Sequence, residues 1–142
     1  MTAKEYLSQY FWAKKDIESM QEEIQLLEDM AEYASPGFER GRSSGVSDKV
    51  GKTVAEIMDK KKMLEGLVGK ALKLMNEIED KIDQIDNVRY RWVLKERYVH
   101  CRKWNSIAQR GFYSLRTVQY NNQKALEDFE SRFPEIEFLS VD

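Results

Sequence analysis

An all-α fold follows from three features of this 142-residue sequence. Two long stretches carry apolar residues at alternating spacings of four and three, the period of helices packed along a seam. Only two prolines interrupt the chain, and 34% of its residues are charged, which suits long solvated helices. A third stretch, from Lys103 to Leu126, reads as two helices joined by a tight turn. The expected architecture is a long antiparallel helical hairpin, coiled-coil-like, followed by this compact helical pair.

The first seam comprises Tyr6, Tyr10, Ala13, Ile17, Met20, Ile24, Leu27, Ala31 and Ala34. Such strict 3.5-residue spacing favours a left-handed coiled coil. Lys14, Lys15, Asp16, Glu18, Gln21, Glu22, Glu23 and Glu28 lie between the seam positions and form a wet outer face, while Leu7 and Phe11 widen the stripe near the start. The segment 35–47 holds Pro36, Gly37, Gly41 and Gly45, which break the pattern and predict a loop. A second seam then runs through Val50, Val54, Ile57, Lys61, Leu64, Val68, Ala71, Met75, Ile78, Ile82 and Ile85, with Lys61 its one polar member. Two such helices can pair over roughly 45–55 Å at 1.5 Å per residue. Exposed, a stripe of this length would associate, so two hairpins can also join as a four-helix homodimer.

From Asn87 the composition turns basic and aromatic. Tyr90, Trp92, Val93, Leu94, Tyr98 and Val99 suit a supporting helix. Trp104, Ile107 and Ala108 give the next, short helix its apolar side, and Gly111-Phe112-Tyr113 forms the turn. Ser114 is a suitable N-cap, since its hydroxyl can accept a free backbone N–H of the first turn. Leu115, Val118, Asn122, Ala125 and Leu126 recur on what should be the inner face of the last helix. Pro134 ends that helix, leaving an acidic and apolar tail. The expected domains are therefore the hairpin over 1–86, a helix-turn-helix domain over 87–133, and the tail over 134–142.

The charge distribution points to double-stranded DNA as the partner. Between Val88 and Lys124 lie nine Lys/Arg and one acid, Glu96, a local charge of +8 in a chain of net charge −2. An acidic piece is thus joined to a basic one, and the basic piece is the candidate phosphate-facing surface. The outer face of the last helix carries Arg116, Thr117, Gln119, Tyr120 and Gln123, polar side chains free of acid and suited to base edges in the major groove. Arg116, two residues past the cap, can pair with guanine O6 and N7, and Gln119 or Gln123 with adenine. Arg89, Arg91, Lys95, Arg102, Lys103, Ser114 and Lys124 are the expected phosphate contacts.

Other chemistry is poorly supported. Gly51-Lys52-Thr53 resembles the end of a phosphate loop, but the pattern needs glycine where the chain has Val46, and no strand precedes it. Asp80, Asp83 and Asp86 share a helical face, an arrangement that is usually solvated. His100 and Cys101 lack the further ligands of a zinc site or the partners of a catalytic histidine. No enzyme activity, metal or cofactor is expected. A single cysteine excludes an internal disulfide, and no run of 18 apolar residues or secretory pattern occurs, so a cytoplasmic, non-membrane setting is expected.

Arg97-Tyr98, Trp104, Ile107-Ala108, Tyr113-Ser114, Arg116, Val118 and Ala125-Leu126 together resemble the C-terminal part of small phage and prophage proteins of Gram-positive bacteria. That family is related to region 4 of sigma factors and to the ArpU/RinA-type regulators of phage late transcription. The opening Met1-Thr-Ala-Lys-Glu-Tyr-Leu and the helical first half are similar to it too. The resemblance implies a sigma-region-4-like helix-turn-helix, DNA binding and transcription control, with RNA polymerase as a second partner. Two other roles share this layout: a DNA-recognition subunit of a phage packaging machine, and a module that docks on RNA polymerase without binding DNA alone. The chain departs from the family at two places. Gly111-Phe112 stands where an apolar residue and then glycine are usual, so a positive φ at position 112 would cost Phe what it would not cost Gly. Asn105-Ser106 replaces a pair of glutamates, removing negative charge near the expected DNA.

Overall fold

The computed structural model describes residues 1–33 and 44–136. They are mostly helical, with no strand among the described residues: α1 (Ala3–Leu7), α2 (Gln9–Tyr33), α3 (Ser44–Ile82), α4 (Val88–Leu94), a π-helical turn (Lys95–Val99), α5 (Trp104–Gly111) and α6 (Leu115–Arg132). No helix among them is long and apolar enough to cross a membrane. The expected loop over 35–47 lies largely outside the described residues, and Ser44 already begins α3. The end of the tail also lies outside them. The chain divides into two units, Met1–Trp12 with Ala71–Asp142, and Ala13–Lys70.

In the Ala13–Lys70 unit, two ion pairs join α2 and α3. Glu23 pairs with Lys60 and Glu28 with Lys61, each at 3.0 Å. The first seam turns inward throughout its described length, with Ile24 buried and Ala13, Ile17, Met20, Leu27 and Ala31 half-buried. The second seam needs correction at alternate positions. Ile57 and Leu64 face inward as expected, but Val54 and Val68 are 44% and 37% exposed and Lys61 is exposed. Their neighbours Thr53, Lys60 and Leu67 take the inward places. A one-residue shift at every other position also satisfies 4,3 spacing. Leu67-Val68 offers two adjacent apolar side chains, and only the facing helix selects between them.

The other unit is built around α6, which packs against α1, α4 and α5. Thr2 starts α1 with a capping box: its hydroxyl accepts from the Glu5 N–H, and the Glu5 carboxylate accepts from the Thr2 N–H. Ser8 separates α1 from α2, and Leu7, expected only to widen the stripe, is fully buried. Asn87 caps α4 by accepting from the Arg89 and Tyr90 N–H groups at 3.0 and 3.1 Å. Ala3, Leu7, Ile78, Ile82, Ile85, Leu94, Tyr98, Ala125 and Phe129 form one buried cluster. Each large apolar member contributes about 1.5–3 kcal/mol through burial. The Tyr98 hydroxyl donates to Asn122 Oδ1 at 3.2 Å. Burial pushes its pKa above the ordinary 10.0, with the Asn122 bond and the Arg97 charge opposing.

A smaller core joins the last two helices. Ile107, Ala108 and Val118 are buried together, with Trp92 of α4, Trp104 and Tyr113 packed around them. One inner-face assignment changes here, since Leu115 is 41% exposed, and Asn121, to which the spacing gave no inward place, is buried at 8%. Leu115 is the first residue of α6, ahead of the turn on which Val118 closes the core. The turn itself is fixed by close approach. A Cβ on Gly111 would lie 2.7 Å from both the Trp92 and Tyr113 rings.

Gly111→Ala is therefore expected to lower stability by about 1–3 kcal/mol. Gly69→Ala has open space in α3 and should raise stability by up to about 1 kcal/mol. Urea denaturation of both variants measures the contrast, and a harmless Gly111→Ala would mean that Trp92 does not press on the turn.

Candidate nucleic-acid interface

The site is assembled from the local chemistry of the second turn. Ser114 caps α6 as expected: its hydroxyl oxygen accepts from the Thr117 N–H at 3.1 Å and lies 2.8 Å from Thr117 Oγ1. That cap, with Val118 buried beneath it, sets the rotation of α6 about its axis. Arg116, Thr117, Gln119, Tyr120 and Gln123 all face solvent as a result. Arg116, Gln119, Tyr120 and Gln123 recur at i, i+3, i+4 and i+7, so they share one helical face. The face presents a guanidinium, two carboxamides and a phenol with no acid among them.

The cations of the basic segment fall into two groups. Arg89, Lys103 and Arg116 are exposed and, among the described residues, make no ion pair. Arg89 lies in the first turn of α4, and Lys103 immediately precedes α5. The remaining cations have structural partners. Arg91 donates to the Ile85 carbonyl at 2.7 Å, and Lys95 pairs with Asp83. Arg97 stacks 4.4 Å from the Trp104 ring centroid and donates to the Arg102 carbonyl at 2.9 Å. Lys124 pairs loosely with Glu127 at 3.6 Å and sits 5.7 Å from the Tyr120 ring.

Arg102 and Arg110 converge on Glu96, which is only 4% exposed. Arg102 Nε donates to Glu96 Oε2, while Arg110 Nε and Nη2 reach Oε1 at 3.3 and 3.2 Å. The same residue's backbone carbonyl accepts from the Arg102 N–H at 3.0 Å. Sequence spacing gave Glu96 no role, yet its signal is plain: it is the one acid among nine bases. A carboxylate can enter this partly buried place because two guanidiniums satisfy it.

The aspartates near the end of α3 are also drawn into pairing. Asp83 holds Lys95, and Asp86 holds Arg132 at 2.6 Å. Among the described residues no cluster of three His, Cys, Asp or Glu side chains is placed to hold a metal ion. Arg89 and Arg110 flank a hollow of about 270 Å³ that is closed by Val88, Trp92, Gly111 and Tyr113. One uncommitted cation thus stands beside the turn that carries α6.

No family model matches the sequence, and neither a curated protein nor a solved structure matches it.

The three uncommitted cations set an expectation for salt. On duplex DNA they alone give a log–log slope of about −2.7, and release of the exposed Lys124 pair brings it to about −3.6. Fluorescence anisotropy across a salt series reads this slope. A value shallower than about −2 would mean that another molecule meets this surface, and one steeper than about −6 would require the Glu96 arginines to let go.

Proposed function

We propose that this chain is a sequence-specific double-stranded DNA-binding protein in which α5, the turn and α6 act as a helix-turn-helix. The observation that carries the reading is the exposed, acid-free face of α6 with Arg116 on it; exposed Arg89 and Lys103, which make no ion pair among the described residues, add to it. Ser114 and Val118 orient that face, and Arg116 is unpaired near its N-terminal end, where a recognition helix first meets base edges. Glu127, the surface acid nearest in sequence to compete for Arg116, is paired with Lys124 instead. The resemblance to phage and prophage region-4-like proteins directs the proposal to transcription control. RNA polymerase docking is the alternative if DNA alone is not bound.

Arg116→Ala should cost about 1–3 kcal/mol on the preferred duplex and much less on random DNA. Lys103→Ala should weaken both alike and flatten the salt slope by about one unit. Lys103 is a better phosphate probe than Arg102, whose loss would also leave Glu96 short of a partner. Competition binding with selected and random duplexes separates the two effects. Equal loss on both duplexes for Arg116→Ala would show that α6 does not read sequence.

The α2–α3 pair is proposed to act as an antiparallel hairpin that dimerises. Leu26, Met30 and Tyr33 on α2, with Met58 and Met63 on α3, are each more than half exposed. A second copy would cover such side chains and place two recognition helices on an inverted-repeat site. Light scattering on the full-length protein is expected to give twice the chain mass, and a monomer at micromolar concentration would refute the dimer.

A further inference from the structure

The turn contains a residue that folding alone does not explain. Phe112 closes α5 in the left-handed region, at φ 56° and ψ 37°. A non-glycine residue there costs about 1–2 kcal/mol. Its ring recovers none of that through burial, because Phe112 is 96% exposed. The adjacent Gly111 cannot trade places with it, since any side chain at 111 would strike Trp92. A glycine at 112, however, would meet every backbone requirement: the N–H donating to the Gln109 carbonyl at 3.3 Å and the Tyr113 N–H donating to Ala108 at 3.0 Å involve no Phe side-chain atom. The chain therefore holds an aromatic ring in water, in a strained conformation, two residues before the Ser114 cap and four before Arg116.

We propose that Phe112 is a specificity-determining contact that packs on the C5-methyl group of a thymine beside the base read by Arg116. This inference rests on the DNA reading of α6 given above. Thymine is the base whose major-groove edge offers an apolar group, and an aromatic side chain is a suitable partner for it. Leu115, 41% exposed, lies between Phe112 and Arg116 in sequence and extends the apolar surface. The polar side chains of α6 cannot detect a methyl group by hydrogen bonding. Phe112 supplies that discrimination from the turn, and the backbone strain is retained because the contact is made only in the complex.

The test uses the full-length protein, Phe112→Gly and Phe112→Asn, on the duplex that the wild-type protein selects from a randomised pool. Each thymine of that duplex is replaced singly by deoxyuridine. Both variants tolerate positive φ, so their melting temperatures should rise, by about 4 °C. Both should bind the selected duplex about fourfold more weakly, the worth of one buried methyl group. One deoxyuridine position should weaken wild-type binding by a similar factor and leave the variants unaffected. Variants that bind as tightly as wild type would overturn the inference, as would variants that lose affinity equally on thymine and deoxyuridine duplexes. If wild type selects no duplex at all, the DNA reading itself fails, and that result is distinct from either of these.

Discussion

The candidate surface depends on one buried carboxylate. Glu96 sits in the π-helical turn after α4 and holds Arg102 and Arg110 through its two oxygens, while its backbone carbonyl takes the Arg102 N–H. These bonds tie the start of the connection to α5 and the last turn of α5 to one point. They act where the backbone is unusual: the chain leaves an i→i+5 hydrogen bond from His100 to Lys95 and passes through Cys101 at φ 56°. A reversal of this kind has few hydrogen bonds of its own, so side chains must fix it. Arg97, stacked on Trp104, braces the same reversal from the other end.

The second constraint is steric. Trp92 presses so closely on the end of α5 that only glycine fits at 111. The left-handed residue that ends the helix must then be the next one, and that residue is Phe112. Gly111 thus answers a need for space while Phe112 carries the backbone strain. The two demands usually attributed to one glycine are divided between neighbours. That division accounts for Gly at 111 and for the left-handed backbone at 112, but not for the aromatic ring that projects from it.

Charge alone gives a poor account of such a surface. A local excess of +8 suggests a broad cationic patch, yet most of its members are engaged in holding the fold. Burial of Glu96 is possible because two arginines surround it, and Lys95 and Arg91 secure the entry into α4. What remains uncommitted is Arg89, Lys103 and Arg116, and the outer face of α6 is polar without being strongly charged. A surface of that composition favours selective contacts over general attraction to polyanions.

The sequence by itself determined the helical character of the chain, the cap at Ser114 and the outward face of α6, because each follows from local periodicity or from a hydroxyl beside a free N–H. It determined neither the break at Ser8 nor the π-helical turn. The 4,3 spacing also picked the inward residues of α2, although Leu26-Leu27 and Met30-Ala31 offered neighbouring choices. Tertiary structure decided the rest. The inward residues of α3 could not be read where Leu67 and Val68 stand side by side, because either satisfies the spacing until a facing helix is in place. Leu115 turned outward and Asn121 inward because burial at the start of α6 depends on α4 and α5, not on the helix's own period. Which arginines remain uncommitted was likewise invisible, since ion pairing with Glu96 joins residues up to fourteen positions apart. The sequence counts charges, and only the packed chain determines which of them have already found partners.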